Sequence, residues 1–368
     1  MTRVEAVRTT TSSVPLHTPF VTALRRTTTV DTVVVTVLDS DGRTGWGEAP
    51  QVWQVTGESL AGATACVETM LAPLLVGHLL DDRDDLAAAA GLVQRAVARN
   101  FGAKAALDAA LHDLLAQAEG TSVAALLGAG ESGIPTTLTT DVTLSAGDVE
   151  ALARTARDRV DDGFTTLKMK VGTDAGTDVA RVAGVRAAVG PDVTIRLDAN
   201  QGWTREQAVT VIRALEDGDL GVEFVEQPLV AEDVEGMAWV RERVGLPIMA
   251  DESCYGRHDL ERIIRLGAAD LVNVKLAKCG SLTLGRDLLR RAHDEGLGTI
   301  VGSMMESHVG VGAAAALVAA VPTTRVSDLD AAWWSTTTPV TGGVSYERNE
   351  IHLPAGDGLG ITGWSATR

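Results

Sequence analysis

Between residues 165 and 330 the chain repeats one pattern: a short apolar, β-branched run that ends on a polar or charged residue. The runs are Thr165-Thr166-Leu167-Lys168-Met169-Lys170, Val193-Thr194-Ile195-Arg196-Leu197-Asp198, Val222-Glu223-Phe224-Val225-Glu226, Pro247-Ile248-Met249-Ala250-Asp251 and Leu271-Val272-Asn273-Val274-Lys275. Their last residues lie 28, 28, 25 and 24 positions apart, room for a strand, a helix and two loops. Two further runs follow, Gly298-Thr299-Ile300-Val301-Gly302-Ser303 and Thr324-Arg325-Val326-Ser327-Asp328-Leu329-Asp330, and residues 136–143 supply one before. Eight strands with seven helical intervals predict an α/β chain closed into a (β/α)7β TIM-like barrel. Such barrels carry their active sites at the C-terminal strand ends, where this chain puts its charges.

The pattern before residue 130 is different. Residues 1–55 alternate as antiparallel strands do, with Thr32-Val33-Val34-Val35-Thr36-Val37-Leu38 strongly β-branched and Asp39-Ser40-Asp41-Gly42 a turn. Residues 18–26 read as a loop that carries Arg25 and Arg26. Helical periodicity covers 58–75, 83–98 and 103–118, the last with Leu107, Leu111, Leu114 and Leu115 on one face. Strands followed by helices predict an N-terminal α+β capping domain over 1–130, with the barrel over 131–339. A Gly-rich tail, 340–368, lacks the βα beat and packs back on the first domain. Gly128-Ala129-Gly130-Glu131-Ser132-Gly133 fits GxGxxG but does not follow a strand or open a helix, so it reads as a linker.

Composition narrows the function. The 368 residues hold 32 Lys plus Arg against 49 acids, a net charge of −17, which argues against nucleic acid and anionic membrane as partners. Three cysteines without CxxC spacing suit a reducing, cytoplasmic setting. The N-terminus shows no apolar signal core, and the longest apolar run, 309–321, is short for a membrane span.

Asp198, Glu226 and Asp251 end three consecutive strands, so three carboxylates converge on one volume. They repel unless a cation lies among them. Oxygen donors alone favour a hard ion, Mg²⁺ foremost; the plainer alternative is that each caps the helix that follows. Lys170 and Lys275 end strands four apart and face each other across the mouth, with Lys168 pointing the same way as Lys170. Crowded ammonium groups are expected to depress one another's pKa and yield a base; pairing with the carboxylates is the alternative. A metal-held carboxylate flanked by two lysines is suited to α-proton transfer and inversion. Asp328 and Asp330 share a side of strand eight and suit a substrate ammonium, unless they form a second metal site or a solvated loop. Arg25, or else Arg26, could reach over the mouth to a second substrate carboxylate.

At these residues the sequence resembles the enolase superfamily, its muconate-lactonising branch, and within it the dipeptide epimerases of the L-Ala-D/L-Glu type. The resemblance spans essentially the whole chain. It rests on Thr22-Ala23-Leu24-Arg25, Gly45-Trp46-Gly47-Glu48-Ala49-Pro50, the Lys168/Lys170 pair, Asp198-Ala199-Asn200, Glu226-Gln227-Pro228, Asp251-Glu252-Ser253, Lys275, Gly302-Ser303-Met304 and the Asp328/Asp330 pair. It implies a capping domain over a (β/α)7β barrel, Mg²⁺ on Asp198, Glu226 and Asp251, and Lys170 and Lys275 as acid/base catalysts. Enolase-type sites in general use a lysine or histidine base with Mg²⁺. Lys168 would contact the substrate carboxylate, Asp328 and Asp330 would hold the dipeptide amino group, Thr143, Ser303, Met304 and Met305 would line the substrate, and Arg25 would face a glutamate side chain. Met305-Glu306-Ser307-His308 and the second arginine leave the second residue of the dipeptide open.

The expectation is therefore a Mg²⁺-dependent dipeptide epimerase, with a small-molecule dipeptide as partner, a homo-oligomeric assembly and a role in salvage of murein peptides. N-succinylamino acid racemases and o-succinylbenzoate synthases are the rivals in the same superfamily; they lack a substrate ammonium and should not need Asp328 and Asp330. No histidine ends a strand opposite Lys170, against a sugar-acid dehydratase. Outside the class stand a lyase with Lys275 as a Schiff base and a catalytically silent barrel that only binds.

Overall fold

The computed structural model describes residues 1–128 and 133–365. The centre of the glycine-rich linker, and with it the expected boundary at 130/131, lies outside the described residues, as do the last three residues of the tail.

The chain opens with an antiparallel sheet of β1 (Val4–Val21), β2 (Arg26–Asp39) and β3 (Thr44–Pro50), in that order. The expected loop over 18–26 is in fact the end of a long β1–β2 hairpin. Pro15 and Pro19 mask β1 in the sequence, but β1 is the edge strand, where missing N–H groups are tolerated, and the register slips between Pro15 and Phe20. Only residues 22–25 connect the strands, held by the Thr22 hydroxyl, which accepts from the N–H groups of Leu24 and Arg25.

Helices then cover this sheet: α1 (Leu60–Ala65), a π-helical turn (Cys66–Leu71), α2 (Ala72–Leu75), α3 (Arg83–Ala96), α4 (Phe101–Glu119) and α5 (Val123–Leu126). The helix over 58–75 thus contains a π turn, in which Ala72 N–H reaches back to Val67 O just before Pro73, which has no N–H of its own. The central helix α4 presses on β3 so closely that a Cβ at Gly45 or Gly47 would lie 2.0 and 1.8 Å from its carbonyl oxygens.

The run 136–143, expected as one strand, is two. The first piece, β4 (Thr137–Thr139), pairs antiparallel with the tail; only β5 (Val142–Leu144) enters the barrel. From there strands and helices alternate: α6 (Val149–Asp161), β6 (Thr166–Lys170), α7 (Ala175–Val189), β7 (Thr194–Asp198), α8 (Arg205–Asp217), β8 (Val222–Glu226), α9 (Val234–Arg241) and β9 (Ile248–Ala250). Then come α10 (Arg257–Leu266), β10 (Leu271–Lys275), the short α11 (Leu276–Cys279), α12 (Leu282–Asp294), β11 (Gly298–Gly302) and α13 (His308–Ala320). The seven strands β5 to β11 pair in parallel in sequence order. The eighth is reduced to single parallel bridges, Gly302 to Asp328 and Thr140 to Ser327, which join the two edges. The fold is therefore α/β, a (β/α)7β barrel with an antiparallel capping domain.

The tail forms β12 (Val340–Gly342), β13 (Ser345–Glu347), β14 (Glu350–His352) and β15 (Ile361–Trp364). β14 continues the β4 edge, whereas Leu359 N–H donates to Asp113 on α4. Glu48 at the end of β3 ties the capping sheet to the barrel: its carboxylate accepts from Ser307 N–H, the Ser307 hydroxyl and Gly310 N–H at the start of α13.

Candidate active site

The strand ends gather at one end of the barrel with a stagger: Glu226 is level with Met249 and Met249 with Leu271, so Asp251 and Lys275 project beyond those levels. Lys170 is level with Asp198, and Asp198 with Glu226. Asp198 and Glu226 are fully buried and Asp251 nearly so. Lys170 on β6 and Lys275 on β10 lie four strands apart in the sheet order. Room for Lys275 depends on Gly302 next door: a Cβ there would come within 2.8 Å of the lysine's Cε.

Above these strand ends is a cavity walled by Lys170, Lys275, Asp251, Asp328, Asp330 and Thr143, together with Ser303, Met304 and Met305. Its roof is the hairpin of the capping domain, through Phe20, Thr22, Leu24 and Arg25. Of the thirteen predicted site residues, ten thus meet in one cavity; Lys168, Asp198 and Glu226 lie beneath it, fully buried. Arg26 is exposed and does not line this cavity; it lines a neighbouring depression that shares Arg25 and Met305 with it.

Lys168, expected against a substrate carboxylate, stands instead among three protein carboxylates. Its ammonium is 3.0 Å from Asp198, 2.8 Å from Glu226 and 2.7 Å from Asp328. Lys170 donates to Asp198 at 2.7 Å and Lys275 to Asp251 at 2.8 Å. At Lys275 the alternative of carboxylate pairing prevails: Lys168 does depress it, as crowding predicts, but the carboxylates outweigh that effect. Burial works to lower Lys275, but Asp251 more than offsets it and the group is held above the usual lysine range. Lys168 is likewise raised against the effect of burial, by Asp198, Asp328 and Glu226. Burial would raise Asp198 and Asp251, yet the neighbouring ammonium groups pull both far below the usual carboxylate range.

With lysines between them, no three carboxylates among the described residues close on a single point. The donor chemistry nevertheless fits a hard divalent cation. The three expected ligands offer only carboxylate oxygens, and Glu226 Oε2 and Asp251 Oδ1 are buried with no donor in hydrogen-bonding geometry among the described residues, facing only the ammonium groups of Lys168 at 2.8 Å and Lys278 at 2.5 Å. The place between them already demands positive charge, which Lys168 supplies in this arrangement.

Asp328 and Asp330 are each tied by one oxygen. Oδ2 of Asp328 accepts from Lys168; Oδ2 of Asp330 accepts from Thr143 N–H at 2.7 Å and Trp334 Nε1 at 2.9 Å. Among the described residues no donor meets Oδ1 of either, and both residues face the cavity. Burial, reinforced by Asp328, pushes Asp330 up to about 6. Arg25 has no ion-pair partner among the described residues, and burial lowers its guanidinium to about 10.

Several residues to which the sequence reading gave no role support the site. Lys278 is fully buried and meets Asp251 Oδ1 at 2.5 Å. Gln227, at a φ of 36°, accepts from the N–H groups of Asp251 and Ser253 and so fixes the loop after β9. Asn273 donates to Glu226. Glu252, beside Asp251, is pushed up to about 8 by burial and the adjacent carboxylates. Lys278 could have been found from its spacing of three after Lys275; the amides carried no signal of their own.

Residues 4–128 match the mandelate racemase / muconate lactonizing enzyme N-terminal domain, and residues 151–363 match the enolase C-terminal domain-like family. The chain is 38% identical over 358 residues to the L-Ala-D/L-Glu epimerase of Bacillus subtilis, with 97% of this chain and 96% of that one covered. A solved substrate-liganded complex of the Bacillus subtilis L-Ala-D/L-Glu epimerase superposes with a TM-score of 0.94 at 37% identity, over 99% of both chains. The dipeptide epimerase of Enterococcus faecalis, complexed with Mg and the dipeptide L-Leu-L-Tyr, gives a TM-score of 0.92 at 35% identity, over 98% of this chain and 100% of that one.

Proposed function

The chain belongs to the mandelate racemase / muconate lactonizing enzyme family, and from that premise we propose that it is a Mg²⁺-dependent isomerase, a dipeptide epimerase. It inverts the α-carbon of the C-terminal residue of a dipeptide, with Ala-Glu as the preferred type. One observation carries the reading: Lys170 and Lys275 stand four strands apart around the same cavity in which Asp328 and Asp330 each keep an unengaged oxygen.

The substrate is held at both ends. The Asp328 and Asp330 carboxylates take the amino group, and Arg25, a desolvated cation with no ion-pair partner among the described residues, takes a side-chain carboxylate on the second residue. Thr143, Ser303, Met304 and Met305 line the space between. Lys168, beneath the floor, lends positive charge to the end where the α-carboxylate lies. Asp198, Glu226 and Asp251 are the residues that would hold Mg²⁺. When bound, the ion supplies charge that stabilises the negative charge left by loss of the α-proton.

Lys170 and Lys275 move that proton. One is neutral and takes it from one face; the other is protonated and returns one to the opposite face, and a turnover exchanges their states. The test is incubation of the full chain with Mg²⁺ and Ala-Glu in D₂O. Deuterium should enter at the α-carbon of glutamate with inversion. Exchange instead with an N-succinylamino acid and none with a free-amine dipeptide would reassign the enzyme to the racemases.

Three free, buried cysteines and the absence, among the described residues, of any helix long and apolar enough to cross a membrane support a cytoplasmic setting. Ala-Glu occurs in murein peptides, so their recycling is the role we assign; a homo-oligomer is the assembly we expect.

A further inference from the structure

We infer that Trp334 is a positioning residue for recognition of the dipeptide amino group, and that it joins Asp330 to the hairpin of the capping domain. The inference rests on the proposed function, in which Asp330 holds that group. Trp334 is 2% exposed, and its indole N–H donates to Asp330 Oδ2 at 2.9 Å. That bond and the one from Thr143 N–H fall on the same oxygen and turn Oδ1 toward the cavity. The far side of the indole is covered by β1. His17 stacks on it at 5.3 Å and 18°, and Phe20 meets it edge-on at 5.5 Å. Phe20 in turn has the Lys170 ammonium 5.7 Å from its ring centroid. The backbone is sewn together alongside, with Leu16 bridged to Ser335 and Thr336 N–H donating to Pro15 O. One aromatic bracket from the capping domain therefore touches both an acid/base lysine and the anchor of the amino-group ligand.

The indole N–H also holds Asp330 in its charged form against Asp328. The other charged or titratable groups near this carboxylate are Lys168, Asp141 and Tyr346, with His17 behind the indole.

The test is steady-state kinetics of Trp334→Phe with Ala-Glu, set beside the inhibition constant of N-propionyl-glutamate, which lacks the amino group. Loss of one hydrogen bond to a charged group should raise KM for Ala-Glu about tenfold, leave kcat and the N-propionyl-glutamate constant unchanged, and move the acid limb of kcat/KM to higher pH. An unchanged KM and limb, or equal losses for both ligands, would overturn the inference. If the variant does not fold, β-(3-benzothienyl)alanine at position 334 keeps the ring shape and removes only the N–H. Asp330→Asn separates the two levels: if its KM for Ala-Glu is unchanged, the functional reading itself fails; if it rises while Trp334→Phe stays at wild type, only the role of Trp334 falls.

Discussion

Lys275 donates to Asp251 at 2.8 Å from the next strand of the barrel, while Lys278 faces the other oxygen of the same carboxylate. One acid thus meets two lysines, the proposed proton carrier and a fully buried neighbour. Replacing Lys275 with Met should abolish proton removal from one epimer of Ala-Glu by a factor of about 10² to 10⁴, and Lys170→Met should do the same for the other. Deuterium exchange followed separately for each epimer checks this; equal loss for both epimers in both variants would contradict a division of labour.

Chelation should stop turnover, and added Mg²⁺ should restore it. Bound Mg²⁺ should also raise the melting temperature, since a ligand that binds only the folded chain stabilises it. Asp251→Asn should weaken that shift, read by calorimetry without any assay of activity.

Among the described residues no carboxylate pairs with Arg25, which burial desolvates. Arg25→Met should raise KM for Ala-Glu about tenfold or more, as expected for loss of a charge-assisted bond, and leave a dipeptide with a neutral second residue far less affected. Similar losses for both would remove Arg25 from side-chain selection.

Asp330 is raised to about 6 by burial and by Asp328. Its charged form, the one proposed to bind an ammonium, is therefore lost as pH falls through about 6 rather than near 4. KM for Ala-Glu should rise over that range, and a pH profile that stays flat down to 5 would rule out this assignment.

Glu48 gathers three donors at the start of α13. Glu48→Ala leaves them buried and unsatisfied and should cost about 2 to 4 kcal/mol, visible as a lower denaturant midpoint.

The set of charges was legible because a βα period makes every strand end comparable, so Asp198, Glu226, Asp251, Lys170 and Lys275 stood out by position. The pairing of those charges was not legible. Spacing says that Lys168 points into the barrel, but only packing decides that it ends among carboxylates at 2.7 to 3.0 Å. The Thr-rich run 136–143 showed strand propensity without showing its partners, so its division between tail and barrel was hidden. Pro15 and Pro19 disguised an edge strand as a loop. Asn273 and Trp334 act through one hydrogen bond each and Gln227 through several, and none of these leaves a periodic trace.

The hairpin that roofs the cavity is a ladder whose cross-strand partners run from Val4 with Asp39 to Val21 with Arg26. Its tip holds Arg25 at a height set by the number of rungs. Adding or removing one residue in each strand would move that guanidinium by about 3.4 Å and turn each later side chain to the opposite face. The hairpin is in this sense a ruler: a change in length beyond Phe20 would move only the proposed side-chain contact, whereas one before His17 would also displace the aromatic bracket on Trp334 and Lys170.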